Sequence, residues 1–381
     1  MRRNGKLSFK CDVCGNSDEK YLGELNGKVY CRKCLSFRKK EGDIKELKSN
    51  KEVLLKMKYS LTKEQQRLSD KLMENALMDK EVLIHAVCGA GKTEIVSPLI
   101  YYFLKNGKRV VFYIPRKDLV VEIGDRLKEL FPNTSISLVY GGCRKDLKGS
   151  LVVSTTHQAY RFLNAFDLAI IDEIDAFPYK GDSLLKYFVY KSVKGPIVSL
   201  SATPSHDDMM GKEILYLYKR FHGFPMPIPQ VIITSIYHQK RIITKLLKLY
   251  QKENKPCFIY VPTIEEGKRI IKFILRKFQK ATFVYSTMSN RKQTLNLIRQ
   301  GHFTIVVTTT ILERGVTFAN LQVIVFCADH AIFDISTLLQ ICGRVGRKEK
   351  YNKGDIYLLA KKKKNKFTQC IEQVEKYNEN L

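Results

Sequence analysis

Residues 86–93 read Ala-Val-Cys-Gly-Ala-Gly-Lys-Thr and stand between an apolar, β-rich run at Glu81–Val87 and an apolar helical stretch. A short apolar run of this kind is a buried parallel strand, so the chain is constrained to place a tight turn at the carboxyl end of a strand and a helix straight after it. Gly89 and Gly91, with Ala90 between them, let the backbone turn so that successive N–H groups point at phosphate oxygens. Lys92 then reaches the β- and γ-phosphates, Thr93 is placed to ligate Mg²⁺, and the helix starting at Thr93 offers its positive end to the anion.

A second apolar run, Phe166–Ile171, ends in Asp172-Glu173-Ile174-Asp175. Acidic residues at the carboxyl end of a parallel strand face the crevice in which open α/β sheets bind ligands. Asp172 is expected to hold Mg²⁺ and Glu173 to polarise an attacking water, which makes ATP hydrolysis the expected reaction. Further on, Gln340-Ile-Cys-Gly-Arg344-Val-Gly-Arg347 reads as a helix and its end. At i and i+3 on a helix, Arg344 and Arg347 share one face and can reach a γ-phosphate together. An arginine so placed stabilises the charge that develops in phosphoryl transfer.

Between and around these motifs, short apolar runs alternate with helical stretches. Strands are expected at 82–87, 109–114, 136–140, 150–155, 166–171 and 197–201, and again at 256–261, 282–286, 303–309, 322–327 and 355–359. That pattern predicts two α/β domains, each a parallel sheet covered by helices. We place them at 61–219 and 231–381, joined by the Pro-rich stretch 220–230, which breaks both helix and strand. The cleft between two such domains is where ATP is expected to open and close the pair. In Leu61-Thr62-x2-Gln65, Thr62 is expected to cap the helix that opens the first domain.

The charge balance names a partner class. With 66 Lys and Arg against 38 Asp and Glu, the formal net charge is +28. An ATPase with this excess is expected to work on a polyanion, nucleic acid first. Lysine-rich stretches at Arg38–Lys58 and Lys361–Lys366 read either as solvated faces or as phosphate contacts. Ten cysteines fall into two sets. Six (Cys88, Cys143, Cys257, Cys327, Cys342, Cys370) read as reduced thiols, mostly in the core. The other four form two pairs, Cys11-x2-Cys14 and Cys31-x2-Cys34, with sixteen residues between the pairs. This spacing predicts a closed four-thiolate Zn²⁺ site of structural kind in residues 1–40, with Gly23 and Asn26-Gly27 marking turns of a hairpin between the two knuckles. Two disulfides are the weaker reading for a chain that begins without an apolar signal segment. Residues 41–60 are expected to form a basic helical connector. No run of 18 apolar residues offers a transmembrane helix.

The motif series resembles superfamily-two helicases and translocases over about 320 residues from Leu61 onward. Leu61-Thr62-x2-Gln65 is similar to the adenine-reading Q motif, Ala86–Thr93 to motif I, and Pro115-Arg116 to motif Ia. Thr155-Thr156-His157-Gln158 resembles the strand-contact motif before motif II, Asp172–Asp175 motif II, and Ser201-Ala202-Thr203 motif III. Tyr260–Thr263 resembles motif IV, Thr309-Thr310-Ile-Leu-Glu313-Arg314-Gly315-Val-Thr317 motif V, and Gln340–Arg347 motif VI. The resemblance implies two RecA-like P-loop domains preceded by a small zinc-ribbon-like module. It implies nucleotide contacts at Gln65 and Gly315 in addition to the phosphate loop. It also implies strand contacts at Arg116, Thr155, Thr156, Thr309 and Thr310, whose amides and hydroxyls would grip phosphates without reading bases.

Within that superfamily the chain resembles the ComFA competence ATPases of Gram-positive bacteria. The resemblance rests on the four-cysteine module, Asp-Glu-Ile-Asp-Ala-Phe-Pro at 172–178, Arg-Phe-His-Gly-Phe-Pro-Met-Pro-Ile-Pro at 220–229, and Thr-Thr-Ile-Leu-Glu-Arg-Gly-Val-Thr-Phe at 309–318. It implies ATP-driven handling of single-stranded DNA during transformation, on the cytoplasmic side and at the inner face of the cell membrane. The implied partners are a ComFC-like phosphoribosyltransferase-fold protein and the DNA-uptake channel machinery at the membrane, and self-association into an oligomer is compatible with it. The connector between module and motor is shorter than in longer relatives. The replication-restart helicase PriA shares Leu-Thr-x2-Gln and Gly-Lys-Thr-Glu, but its zinc cysteines are inserted in the second motor domain, whereas here they stand at 11–34. Asp-Glu-Ala-Asp-box RNA helicases fit less well, because Pro115-Arg116-Lys117-Asp118 replaces their Pro-Thr-Arg-Glu. A scaffold in which ATP only switches conformation, or a zinc-dependent sensor with a vestigial ATPase, would not need Glu173, Arg344 and Arg347.

Overall fold

The apolar runs become strands where they are expected. The computed structural model describes residues 9–11, 16–25, 27–32, 52–143, 147–309 and 318–379. Near the start, β1 (Leu22–Leu25) and β2 (Lys28–Cys31) pair antiparallel, with Gly23 opposite Tyr30. Gly27 turns the hairpin at φ 71°. Gly23, expected at a turn, instead lies inside β1. A Cβ there would come 2.5 Å from the Tyr30 ring, so the glycine admits that ring across the pair.

The chain divides into two compact units, residues 1–84 with 93–215, and residues 85–92 with 216–381. A seven-stranded sheet is built from β3 (Val82–Ala86), β4 (Val110–Ile114), β5 (Ile136–Val139), β6 (Leu151–Thr155), β7 (Leu168–Asp172), β8 (Ile197–Ser201) and β9 (Glu213–Leu217). Its order is β5-β6-β4-β7-β8-β3-β9, and the β5–β6, β6–β4, β4–β7 and β7–β8 pairs are parallel. The division between the units passes through β3 and β9 near their carboxyl ends. A six-stranded, all-parallel sheet follows, in the order β10-β15-β14-β11-β13-β12. Its strands are β10 (Gln230–Ile233), β11 (Cys257–Tyr260), β12 (Ala281–Val284), β13 (Ile305–Thr308), β14 (Gln322–Val325) and β15 (Ile356–Ala360).

Every expected strand forms, with ends shifted by at most two residues. Two strands were not anticipated. β9 has exposed Glu213 and Tyr216 on its outer positions, and β10 has no fully buried residue; both close an edge of their sheet. An edge strand faces solvent on one side and carries little apolar signal. The central strands are the opposite case. All five residues of β4 and of β6 are buried, each fully buried Val, Leu or Ile contributing about 1.5–3 kcal/mol. Separate apolar clusters fill the two units, one around Val111, Tyr113, Phe166 and Ile171, the other around Ile243, Ile259, Ile270 and Val307.

The connector departs from expectation. Residues 52–60 contain no helix, and their backbone is tied at Lys56, whose N–H donates to the Leu130 carbonyl at 2.8 Å. Residues 41–51 lie outside the described residues. The first motor helix, Lys63–Leu77, starts as predicted: Thr62 caps it, and Gln65 closes a capping box by accepting the Thr62 N–H at 2.9 Å.

Candidate functional site

The phosphate loop forms the turn its sequence requires. After β3 the Val87 N–H donates to the Leu217 carbonyl and the Ala90 N–H returns to the Val87 carbonyl. Gly89 and Gly91 have φ of 88° and 80°, in the left-handed region that glycine enters without strain. A Cβ built on Gly89 meets nothing within 4 Å, so the loop backbone borders open space of the kind a phosphate needs. The helix begins at Lys92, one residue earlier than expected, with Thr93 buried in its first turn. The Lys92 ammonium donates to the Ala86 carbonyl at 3.4 Å, folded over its own loop.

The carboxylates sit at the end of β7 as predicted. Asp172 is its last residue, and Glu173 follows at φ 55°. This conformation costs a non-glycine residue about 1–2 kcal/mol and is the kind of strain held at functional sites. What holds it is a bracket that the sequence did not announce. Asp175, buried, accepts hydrogen bonds from the Ser201 hydroxyl and the Thr203 hydroxyl, both at 2.7 Å. The Ser201 Oγ also accepts the Thr203 N–H at 3.0 Å, and the Ile174 N–H reaches the Leu200 carbonyl. The Asp-Glu-Ile-Asp and Ser-Ala-Thr motifs are therefore one network within the first unit. Asp172 and the Thr93 hydroxyl are hard oxygen donors of the kind Mg²⁺ takes. Among the described residues, no three His, Cys, Asp or Glu side chains gather as a ready-made metal cluster.

In the second unit the arginine motif takes a different form from the one expected. The helix Ile335–Cys342 ends at Gly343, and residues 343–346 make a turn. Arg344 and Arg347 thus lie beyond the helix and do not share a helical face. Arg344 is buried, and the Arg347 Nε donates to the Gly343 carbonyl at 2.7 Å. Gly346 has φ 69°, and a Cβ there would come 2.5 Å from the Asn352 carbonyl oxygen. Gly343 is required by a close approach: its Cβ would meet the Cβ of Cys88, in the phosphate loop, at 2.6 Å. Both residues belong to the second unit, as residues 85–92 do.

The turn is gathered by Arg220, from the stretch read only as a stiff linker. Buried Arg220 donates to the carbonyls of Val345 at 2.9 Å, Gly346 at 3.1 Å and Gly343 at 3.5 Å. His222 adds an Nε2–Gly346 carbonyl bond at 3.0 Å and accepts the Phe224 N–H on Nδ1. Burial pushes the Arg220 guanidinium down to about 10. Burial also lowers Arg347, with Arg220 adding to the effect and Cys88 opposing it. Cations crowded at this turn favour an anion beside them.

The strand-contact candidates are placed unevenly. Arg116 is half-buried and immediately precedes the helix Lys117–Leu130. Thr155 and Thr156 are buried at the end of β6, so the expectation that the Thr156 hydroxyl grips a phosphate is corrected: it has no exposed surface. Thr309 is half-buried after β13, and Thr310 and Gly315 lie outside the described residues. In the N-terminal module Cys11 and Cys31, one from each pair, are buried together against Phe9. The Cys11 N–H donates to the Asn16 carbonyl at 3.0 Å. Cys14 and Cys34 lie outside the described residues. The remaining six cysteines are free, with Cys257, Cys327, Cys342 and Cys370 buried.

Residues 58–206 match the family described as Type III restriction enzyme, res subunit, and residues 239–349 match the Helicase conserved C-terminal domain. The chain is 34% identical over 380 residues to the competence protein ComFA of Bacillus subtilis strain 168, covering 92% of this chain and 81% of that one. It is 34% identical over 378 residues to the competence protein ComFA of Streptococcus pneumoniae strain R6, covering 93% and 86%. Among solved structures, Saccharomyces cerevisiae Dbp5 bound to RNA and ADP BeF3 superposes with a TM-score of 0.61 at 16% identity, over 84% of this chain and 93% of that one. That likeness is one of fold.

Proposed function

Because the chain belongs to the ComFA family of competence-associated, ATP-hydrolysing superfamily-two helicases, we propose that it couples ATP turnover to movement along single-stranded DNA during DNA uptake. The observation that carries the proposal is Glu173, strained at the end of β7 and bracketed through Asp175, Ser201 and Thr203. A scaffold that only switches on ATP binding has no need of a positioned base.

In this reading the amides of Gly89, Ala90 and Gly91 and the Lys92 ammonium bind the phosphates. Gln65, whose amide oxygen is committed to Thr62, addresses adenine through its amide nitrogen. Thr93 and Asp172 hold Mg²⁺, which when bound neutralises phosphate charge. Glu173 orients and deprotonates the attacking water. Arg344 and Arg347 balance the charge that grows on the γ-phosphate, with Gly315 beside the nucleotide. Arg116, Thr155, Thr309 and Thr310 hold the strand by its phosphates.

Glu173→Gln tests the proposal. ATP still binds, hydrolysis falls by about 10²–10⁴-fold for loss of a general base, and transformation is abolished. Normal DNA uptake by that variant would overturn the motor and leave the switching scaffold. For the N-terminal module we assign Cys11, Cys14, Cys31 and Cys34 to one structural Zn²⁺, supported by the convergence of Cys11 and Cys31. Elemental analysis of purified protein should give one zinc per chain and none in Cys11→Ser; zinc-free wild type would refute the assignment. The family supplies the remaining terms of the reading: a ComFC-like partner, the uptake channel, and peripheral attachment to the membrane. No helix among the described residues is long and apolar enough to cross a membrane. Co-purification from competent cells checks these partners, and absence of ComFC from the complex purified at native expression would count against them.

A further inference from the structure

All six strands of the second sheet are parallel, so the residues that follow them collect along one edge. Thr234 follows β10, Lys361 follows β15, Asp329 lies beyond β14 and Thr309 follows β13. Backbone bonds stitch this edge together: Thr234 N–H to the Ala360 carbonyl at 2.8 Å, Ala328 N–H to Leu359 at 2.7 Å, and Val261 N–H to Thr308 at 2.8 Å. The distance from β10 to β13 is four strand spacings, about 19 Å.

At one end of the edge the run Lys361–Lys364 is pinned on both sides and exposed between. The Lys361 N–H donates to the Asp329 carboxylate at 3.1 Å, and the Lys366 ammonium donates to the His330 and Phe333 carbonyls at 2.8 and 2.7 Å. The four lysine side chains of the run, 361 to 364, face solvent. Tyr237, which follows β10, the strand paired with β15, lies in the first turn of the helix Ile236–Lys252 and is 67% exposed, with the Arg241 guanidinium 6.0 Å from its ring centre. That turn is fixed to the same edge: the Gln239 amide donates to the Thr234 carbonyl and accepts the Cys327 N–H. Lys240 and Lys361 both lie near enough to Cys327 to oppose the burial that, with Asp329 and Glu266, pushes its thiol up to about 11. Acidic groups also face this neighbourhood: Asp329 and Glu266 near Cys327, and Asp329 and Asp334 near Lys366, with Asp329 already engaged by the Lys361 N–H.

A run of pinned, exposed cations beside an exposed ring is the pairing by which proteins hold single strands: cations track phosphates, and a base stacks on the ring. An anionic membrane surface would also take lysines and an interfacial tyrosine, but this ring and these lysines lie on the edge that carries Thr309, a strand-contact candidate, and the single strand is the occupant to which we commit. We propose that Tyr237 and Lys361–Lys364 form a further single-strand contact on the second unit, with a base on Tyr237 and phosphates on the lysines. This inference rests on the single-strand reading above.

The test uses the full chain, labelled oligo(dT) and vesicles containing phosphatidylserine. Changing all four lysines to glutamine weakens oligo(dT) binding and flattens the dependence of log affinity on log salt by about 0.7 for each phosphate no longer neutralised. Tyr237→Ala weakens binding about five- to a hundred-fold with the salt slope unchanged, and Tyr237→Phe restores it. ATP hydrolysis without DNA is unchanged in all three. Variants that bind oligo(dT) as wild type does, with the same slope, overturn this inference alone. A lysine variant that loses only vesicle binding also overturns it, in favour of a membrane contact. Wild type that fails to bind oligo(dT) overturns the proposed function and this contact together.

Discussion

In the first unit the acidic motif follows a strand whose neighbour supplies two hydroxyl donors; in the second, the arginine motif rides a turn whose carbonyls are gathered by one guanidinium. The two regions fix charged groups by opposite chemistry. Asp175 is the acceptor, and the Ser201 and Thr203 hydroxyls swing to meet it. Hydroxyl rotors adjust, so that bracket tolerates small shifts. Around Arg220 the partners are backbone carbonyls of Gly343, Val345 and Gly346, fixed by a turn that has no freedom at Gly346. Only the cation can adjust there, and burying it has a cost visible in its lowered pKa. In the proposed mechanism the first region is a compliant mount for the base, and the second a stiff mount for the charges that meet the γ-phosphate.

The sharpest break of the comparison is Arg344→Ala. If this arginine balances γ-phosphate charge, hydrolysis falls by about 10³–10⁵-fold, the range for a supplied arginine. Steady-state ATPase with saturating ATP measures it, and a fall of less than about tenfold would move the role to Arg347 or away from the turn.

Next come the mounts themselves, compared directly. Arg220→Met strips the Val345 carbonyl of its donor and leaves Gly343 to Arg347 and Gly346 to His222, and should destabilise the protein by about 2–3 kcal/mol. Asp175→Asn keeps one acceptor oxygen and should cost about 1–2 kcal/mol. Urea unfolding of both variants measures the difference. Equal destabilisation would mean that the two mounts are equally stiff. The stiffness argument also requires Arg220→Met to depress ATP hydrolysis more than Asp175→Asn does.

How much of this was legible follows from the range of the contacts. The phosphate loop and the strand-end carboxylates are local: glycines, lysine, threonine and acids adjoin an apolar run, and the run itself fixes where they stand. Thr62 and Gln65 are local too, three residues apart in a capping box. The arginine turn was half legible. The identities of Arg344 and Arg347 were readable, but their i, i+3 spacing suggested a helical face, whereas Gly343 ends the helix and Gly346 needs a left-handed turn. Asp175 and Arg220 were not legible as mounts. The first reaches hydroxyls 26 and 28 residues away, the second reaches backbone carbonyls 123 to 126 residues away, and a carbonyl leaves no mark in a sequence. The edge strands β9 and β10 were missed because half their surface faces water.

The smallest expected effect is a pH dependence confined to the stiff mount. His222 donates from Nε2 to the Gly346 carbonyl while Nδ1 accepts the Phe224 N–H, so the folded protein holds the neutral ring. Burial, then the Arg220 charge, lowers its pKa below the ordinary 6.5. Protonating Nδ1 would set a donor against the Phe224 N–H. As pH falls below about 6.5 the unfolded chain therefore takes up a proton that the folded chain refuses, and stability declines, by at most about 1.4 kcal/mol per pH unit for one group. The decline begins at the unfolded value and stops once pH passes below the folded one. His222→Gln can still donate to Gly346 and accept from Phe224 but cannot titrate. Unfolding midpoints measured from about pH 8 to about pH 5 should therefore fall more steeply in wild type than in His222→Gln. Parallel curves would show that the ring is protonated in the fold as readily as in the unfolded chain. The Phe224 N–H would then not depend on Nδ1, while the Nε2–H, present in both protonation states, would still serve the Gly346 carbonyl.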